Sequence, residues 1–271
     1  MNLMLFRHLW GVGESWEHVF PEFRQAGYAG IEVGLPPEDQ AGRFRDLIAA
    51  HGLHYIAQIF TGGNGTAEHA ASFRRQLERA ASFSPRLVVC HSGSDAFSPE
   101  QAEQFFREAV RIETTVGVPV AHETHRGRIL FHPRITAKML EAVEGIKLCC
   151  DFSHWVCVCE RLVHDQVDII RQCARRAIHL HARVGYEQGP QVPDPTAPEY
   201  QPHVEAHEQW WDIVWDAQAE AGMETSTLTP EFGPPPYQHT LPHTNVPVAQ
   251  LRSICNWQAR RQAERFAQRF R

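Results

Sequence analysis

Val118-Pro-Val-Ala-His-Glu123 is a short apolar run that ends on a carboxylate, and the same grammar recurs along the second half of the chain. Ile146-Lys-Leu-Cys-Cys-Asp151, Ala177-Ile-His-Leu-His181 and Ser226-Thr-Leu-Thr-Pro-Glu231 follow it, each of strand length and each closing on Asp, His or Glu. A charge at a strand end is costly to bury unless it is paired or ligated, so four in succession call for one shared explanation. Carboxylates and an imidazole that converge form a divalent-metal site.

Outward from these runs, short apolar segments alternate with stretches of helical periodicity over the whole chain. Strands are expected at 3–7, 30–33, 55–60, 87–90, 118–122, 147–150, 178–181 and 226–229. Helices are expected between and after them at 16–26, 39–50, 67–81, 99–115, 134–143, 163–175, 204–219 and 248–270. Ser98-Pro-Glu-Gln101 combines an N-cap serine, a first-position proline and a glutamine three residues on, which is a capping box. Gly52, Gly117 and Gly222 stand where helices should stop.

Eight β-α units in 271 residues match the count and length of a closed (β/α)8 TIM barrel, and no linker or compositional break divides residues 1–271. An open doubly wound sheet fits less well, because no Gly-x-Gly-x-x-Gly turn follows the first strand. Two proline-rich segments, 185–202 and 233–247, fall on the strand-exit face, where they read as ordered lids or walls. The Gly62-Gly-Asn-Gly65 segment reads as a flexible loop.

With 43% hydrophobic and 21% charged residues, the chain has the composition of a soluble globular protein, and its net charge of −6 offers no general attraction to nucleic acid or anionic membrane. Small-molecule chemistry is therefore expected. The seven cysteines form no Cys-x-x-Cys pair and read as reduced, buried thiols. No apolar run approaches the ~20 residues of a membrane span, and the N-terminal stretch is too short for a signal peptide, so a cytoplasmic location is expected.

In a barrel, Glu123, Asp151, His181 and Glu231 end consecutive strands and surround one half of the mouth. Three oxygen donors and one nitrogen suit one divalent ion, Mn²⁺ first, with Mg²⁺, Co²⁺ and Zn²⁺ as alternatives. The motifs His122-Glu-Thr-His-Arg-Gly127, Cys150-Asp-Phe-Ser-His154, His179-Leu-His-Ala-Arg183 and Thr229-Pro-Glu-Phe232 resemble those of the xylose isomerase-like superfamily. That superfamily includes sugar phosphate isomerases and epimerases, inosose and 3-dehydroshikimate dehydratases, and the related endonuclease IV-type nucleases of AP endonuclease family 2. The resemblance covers nearly the whole chain, and Asp-x-x-His with the final Glu is its most specific part.

The resemblance implies that Glu123, Asp151, His181 and Glu231 bind the metal and that His154 lies behind them or touches substrate. It also implies that Glu123 and Glu231 double as the acid/base pair. The chemistry is consistent, because a keto sugar chelating an ion has a more acidic α-proton when enediolate charge falls on that ion. One carboxylate can remove the proton and the other return it. The expected activity is that of an isomerase or epimerase, with a dehydratase or lyase of the inosose or 3-dehydroshikimate type as the alternative. The Glu-Thr-His order at 123–125 resembles the dehydratase branch, where the second histidine assists the leaving group or binds substrate.

Further substrate contacts are expected from His91, His125, Gln58 and Arg183; Arg183 would otherwise pair with Glu187. Trp10 and Trp155 are candidate walls against a sugar ring, and His69, on a helix, is expected at the surface. A metallo-phosphodiesterase of the endonuclease IV type is a rival, but it needs further histidines, and Gln58 stands where one would be wanted on the third strand. A non-catalytic metal- or sugar-binding barrel needs no pair of opposed carboxylates. The expected partner is a carbohydrate-like small molecule, without nucleic acid or membrane and with a homo-oligomer left open.

Overall fold

The eight expected strands all form, and in the computed structural model, which describes all 271 residues, they close into one parallel barrel in sequential order. They are β1 (Asn2–His8), β2 (Gly30–Gly34), β3 (His54–Phe60), β4 (Leu87–His91), β5 (Val120–Glu123), β6 (Leu148–Cys150), β7 (Ala177–His181) and β8 (Thr225–Thr229). The outer layer is α1 (Trp16–Gln25), α2 (Ala41–Ala50), α3 (Thr66–Ala81), α4 (Pro99–Val116), α5 (Pro133–Ala142), α6 (Ser153–Cys159), α7 (Val167–Ala174), α8 (Gln201–Glu220) and α9 (Leu251–Arg269). No helix is long and apolar enough to cross a membrane.

Alternation along the strands decides what enters the barrel. Phe6, Ile56, Leu87, Val89, Ala121 and Cys149 form an apolar cluster inside it, separate from the larger core between strands and helices. Two residues beyond five of these, in the same inward phase, come His8, Gln58, His91, Glu123 and Asp151. The interior therefore changes from apolar to polar within one layer as the strands approach their C-terminal ends. On β2 a side chain at Gly30 would meet the Phe6 ring at 2.5 Å, so glycine there makes room for the apolar plug, and the next inward residue is Glu32.

The same alternation would fail on β7 without an irregularity. Ile178 packs against the interior cluster, and continued alternation from it would turn Leu180, not His181, inward. The register with β6 shifts between Leu148, opposite Ala177, and Cys149, opposite His179. This bulge turns His179 and His181 into the barrel and leaves Leu180 in the outer core.

Local signals hold well at several helix ends. Ser98 Oγ accepts from the Gln101 backbone N–H at 3.3 Å, and Gln101 Oε1 accepts from the Ser98 N–H at 2.9 Å, completing the capping box. Gly117 ends α4 with φ 77°, a left-handed position that favours glycine. β5 begins two residues later than the apolar run does. Pro119 has no N–H to give to a ladder, although its carbonyl accepts from Val88 at 2.9 Å.

Three expectations are corrected. Residues 163–175 are not one helix: a 3-10 turn at His164–Gln166 precedes α7, and α6, too short to show periodicity, follows Asp151 directly. His69 is not at the surface. It is buried on α3, edge-on to Phe97 and Phe105, with Nδ1 2.8 Å from Thr61 Oγ1. All seven cysteines are unpaired, but Cys157 and Cys159 are only partly buried.

His122, which faces outward on β5 while Glu123 faces inward, packs between Phe73 and Phe106 and is fully buried. Burial, assisted by the charge of Lys147, lowers its pKa to about 3. The unfolded chain takes up a proton at this position near pH 6.5 and the folded chain does not, so its contribution is complete above that pH and is lost as pH falls toward 3. Urea midpoints should fall between pH 6.5 and 4, with up to about 1.4 kcal/mol per pH unit from this one group. His122→Gln should flatten that slope; an unchanged slope would remove His122 from the acid sensitivity.

Candidate metal centre

Glu123 at the end of β5, Asp151 just past β6, His181 at the end of β7 and Glu231 two residues past β8 are all buried, and one ligand atom from each lies within 4.8 Å of the others. His181 Nδ1 is 3.5 Å from Glu123 Oε1 and 3.2 Å from Glu231 Oε2. Both carboxylate oxygens of Glu123 and Nδ1 of His181 are buried without a hydrogen bond. The 2.6 Å approach of His91 Nε2 to Glu123 Oε2 is an ion-pair contact lacking hydrogen-bond alignment. Orphaned donor atoms of this kind cost free energy unless a cation completes them, and three carboxylates with one imidazole are a suitable set for a divalent ion.

Asp151 is held differently. Its Oδ1 accepts from the Ser153 backbone N–H at 3.0 Å and hydroxyl at 2.5 Å, and its Oδ2 accepts from Arg183 Nη2 at 2.5 Å. One lone pair of Oδ2 remains for a cation. Burial raises the Asp151 pKa to about 6 despite Arg183. Burial opposes ionisation of Glu231 too, yet His181 and Arg183 bring its pKa down to about 2. Burial likewise works against the charge of Glu123, which His91 and His181 nevertheless hold well below the usual carboxylate range.

Arg183 pairs with neither Glu187, which is bound by His203 at 2.9 Å, nor solvent. Its guanidinium bridges Asp151 and Glu231, the latter at 3.4 Å, and lies over the Tyr237 ring at 5.2 Å. His154 is fully buried with Nε2 2.5 Å from Arg183 Nη2, and it backs that side chain instead of lining the cavity. Arg126 lies over the same Tyr237 ring, at 5.0 Å, and makes no ion pair with Glu123, which has His91 and His181 beside it.

A cavity of about 330 Å³ opens beside this cluster. Gln58, His91, His125, Arg183 and Glu231 supply its polar wall, and Trp10, Phe60 and Tyr237 its aromatic one. Four of the five expected substrate contacts therefore meet here, His154 being the exception. Burial lowers the pKa of His125 to about 3, so its ring is neutral; it sits 4.4 Å from the ring of His91 and 4.0 Å from that of His154. Trp155 is no wall. It is buried against Phe152 and donates to the Leu130 carbonyl at 3.1 Å.

The two proline-rich loops are joined to one another. Gln191 Nε2 donates to the Gly233 carbonyl at 3.1 Å, and the Gly233 N–H donates to Gln191 Oε1 at 2.7 Å, both groups buried. Tyr237, carried by the second loop, meets Trp10 edge-on at 4.9 Å. Tyr237 was not legible as a site residue, since nothing local distinguishes an aromatic in a Pro-rich segment. Glu32 could have been found: in Gly30-Ile-Glu-Val-Gly34 it alone is charged, in opposite phase to Ile31 and Val33.

A family model described as xylose isomerase-like TIM barrel matches residues 6–200, which is most of the chain. The chain belongs to that family. Among solved structures, a xylose isomerase-like TIM barrel protein from Mycobacterium smegmatis in complex with magnesium is 12% identical, with 96% of this chain and 95% of that one covered at a TM-score of 0.66. The probable 3-DHS dehydratase AsbF of Bacillus anthracis is 13% identical, with 95% and 97% covered at 0.64. The 3-keto-D-glucoside 4-epimerase YcjR of E. coli is 10% identical, with 96% and 98% covered at 0.58. At these identities the likeness is one of fold. No curated protein matches the sequence.

For this xylose isomerase-like barrel, Mn²⁺ should raise the thermal midpoint, by about 2.7 kcal/mol of added stability at a free concentration one hundred times Kd. Calorimetry with His181→Ala and Glu123→Gln should show the rise lost. A rise of equal size in both variants would place the ion elsewhere.

Proposed function

We propose that the protein is a divalent-metal-dependent enzyme that removes and returns the α-proton of a neutral keto sugar or related polyhydroxy ketone, acting as an isomerase or epimerase. The observation that supports this most directly is the convergence of Glu123, Asp151, His181 and Glu231 beside a cavity of sugar-like dimensions. When bound, a divalent ion supplies Lewis acidity that draws negative charge onto the substrate oxygens and acidifies the neighbouring C–H.

The residues divide the remaining work. Glu231 reaches the cavity wall and takes the proton. Glu123 lies deeper, its carboxylate 2.6 Å from His91 Nε2, and is the second carboxylate of the acid/base pair. Gln58 and Arg183 orient substrate hydroxyls, and Trp10, Phe60 and Tyr237 cover apolar faces of the substrate and exclude water.

A neutral substrate follows from the charge inventory. Arg183 is the one arginine or lysine on the wall, and Asp151 and Glu231 already take its charge. Within that wall no guanidinium or ammonium is left uncompensated for a phosphate; Arg126, which makes no ion pair, lies outside it over Tyr237. One observation favours β-elimination of the dehydratase type as a second reading: His125 lines the cavity beside Glu123, within reach of a substrate hydroxyl, and the proton that Glu231 removes can pass to the departing hydroxide, which leaves as water.

Mn²⁺-dependent exchange of a substrate α-proton with D₂O, followed by NMR over keto sugars, inososes and dehydroshikimate, should be seen for at least one compound. Glu231→Gln should stay folded and lose that exchange; exchange at the wild-type rate would take Glu231 out of its role, and no exchange across the panel would defeat the enolising reading. Product analysis separates epimer or isomer from the dehydrated product. For a compound turned over in free and phosphorylated forms, kcat/KM should be at least about tenfold higher for the free form. A preference for the phosphate ester would overturn the neutral-substrate assignment.

A further inference from the structure

Glu32 lies beneath the four candidate ligands, fully buried, and its carboxylate is saturated by four neighbours. Oε1 is 2.8 Å from His181 Nε2 and accepts from Gln58 Nε2 at 2.9 Å. Oε2 is 3.2 Å from His179 Nε2 and accepts from the Thr229 hydroxyl. An ionised carboxylate only accepts, so the imidazole nitrogens facing it must carry the hydrogens. Two acceptor positions on each oxygen are thereby used, which leaves Glu32 neither a lone pair for an ion nor one for substrate.

The consequence lies on the other side of the His181 ring. With Nε2 committed as a donor to Glu32, Nδ1 is the nitrogen that faces Glu123 and Glu231, at 3.5 and 3.2 Å. Nδ1 is also the nitrogen left without a hydrogen bond. The same Glu32 oxygen holds Gln58, whose Nε2 extends to 3.4 Å from Glu231 Oε1. One buried carboxylate thus ties the orientation of the nitrogen ligand to that of a cavity-wall amide.

We propose that Glu32 is the positioning residue of this centre: it fixes the His181 ring so that Nδ1, and not Nε2, binds the divalent ion, and it anchors Gln58 at the cavity wall. The proposal rests on the metal site of the preceding section but not on the reaction assigned to it. An oriented imidazole whose other nitrogen donates to a carboxylate is a stronger and better-aimed ligand, and losing such a partner costs about 10–100-fold in metal affinity.

The test is isothermal titration of the full chain with Mn²⁺, together with ¹⁵N-histidine NMR of the Zn²⁺-loaded protein. Wild-type spectra should show His181 with a slowly exchanging Nε2–H and metal-bound Nδ1; coordination through Nε2 would overturn the proposal without any variant being made. Glu32→Gln should bind Mn²⁺ about 10–100-fold more weakly, with exchange of the Nε2–H accelerated. Thr229→Val, which removes another partner of the same carboxylate and whose hydroxyl touches none of the four candidate ligands, should keep Mn²⁺ affinity within twofold of wild type. Wild-type affinity in Glu32→Gln would overturn the proposal, and so would an equal loss in Thr229→Val, which would reduce Glu32 to packing. If no substrate shows α-proton exchange while these affinities behave as stated, the proposed reaction fails and the role of Glu32 stands.

Discussion

Four carboxylates, Glu32, Glu123, Asp151 and Glu231, are buried around the imidazole of His181, and the upper half of the barrel is organised by the need to compensate them. Burying an unpaired carboxylate is prohibitively costly, so each must find a cation, a donor or an ion. Asp151 takes Arg183 and Ser153, Glu32 takes its four donors, and Glu231 shares His181 and Arg183. Glu123 alone keeps both oxygens without a hydrogen bond. The deficit is thus concentrated on the face where Glu123, Glu231 and His181 Nδ1 meet, which makes that face the place for a cation.

The loops extend this arrangement instead of merely covering it. Arg183, drawn to Asp151, presents its flat face to Tyr237, and Tyr237 in turn reaches Trp10 across the cavity. The paired amide contacts of Gln191 and Gly233 fasten the two proline-rich segments into one wall. A substrate entering the cavity therefore meets aromatic rings on one side and neutral or neutralised polar groups on the other. The neutral-substrate reading comes from this balance.

Much of the fold was legible because the signals are local. Strand length, terminal charge and the intervening helical periodicity lie within short windows, so eight strands and the four strand-end residues that converge could be read from them. His91 followed from a strand end as well, whereas His125 came from the resemblance of Glu123-Thr-His125 and Gln58 from its place on the third strand. His69 and Trp155 were misplaced because periodicity cannot say which side of a helix another loop will cover. The ion pairs of Arg183 were missed for a related reason: its partners Asp151 and Glu231 are distant in sequence, whereas Glu187 was the nearest acid.

From sequence alone came the closed parallel barrel and the set Glu123, Asp151, His181 and Glu231, since strand-end position depends on local patterning. Tertiary structure decided which nitrogen of His181 faces the carboxylates, that His154 backs Arg183, and that Tyr237 belongs to the site. It also decided the phase of His181 itself. The alternating pattern that turns Ile178 inward would turn His181 outward, and only the slipped register between β6 and β7, a property of two strands together, brings His181 to the centre.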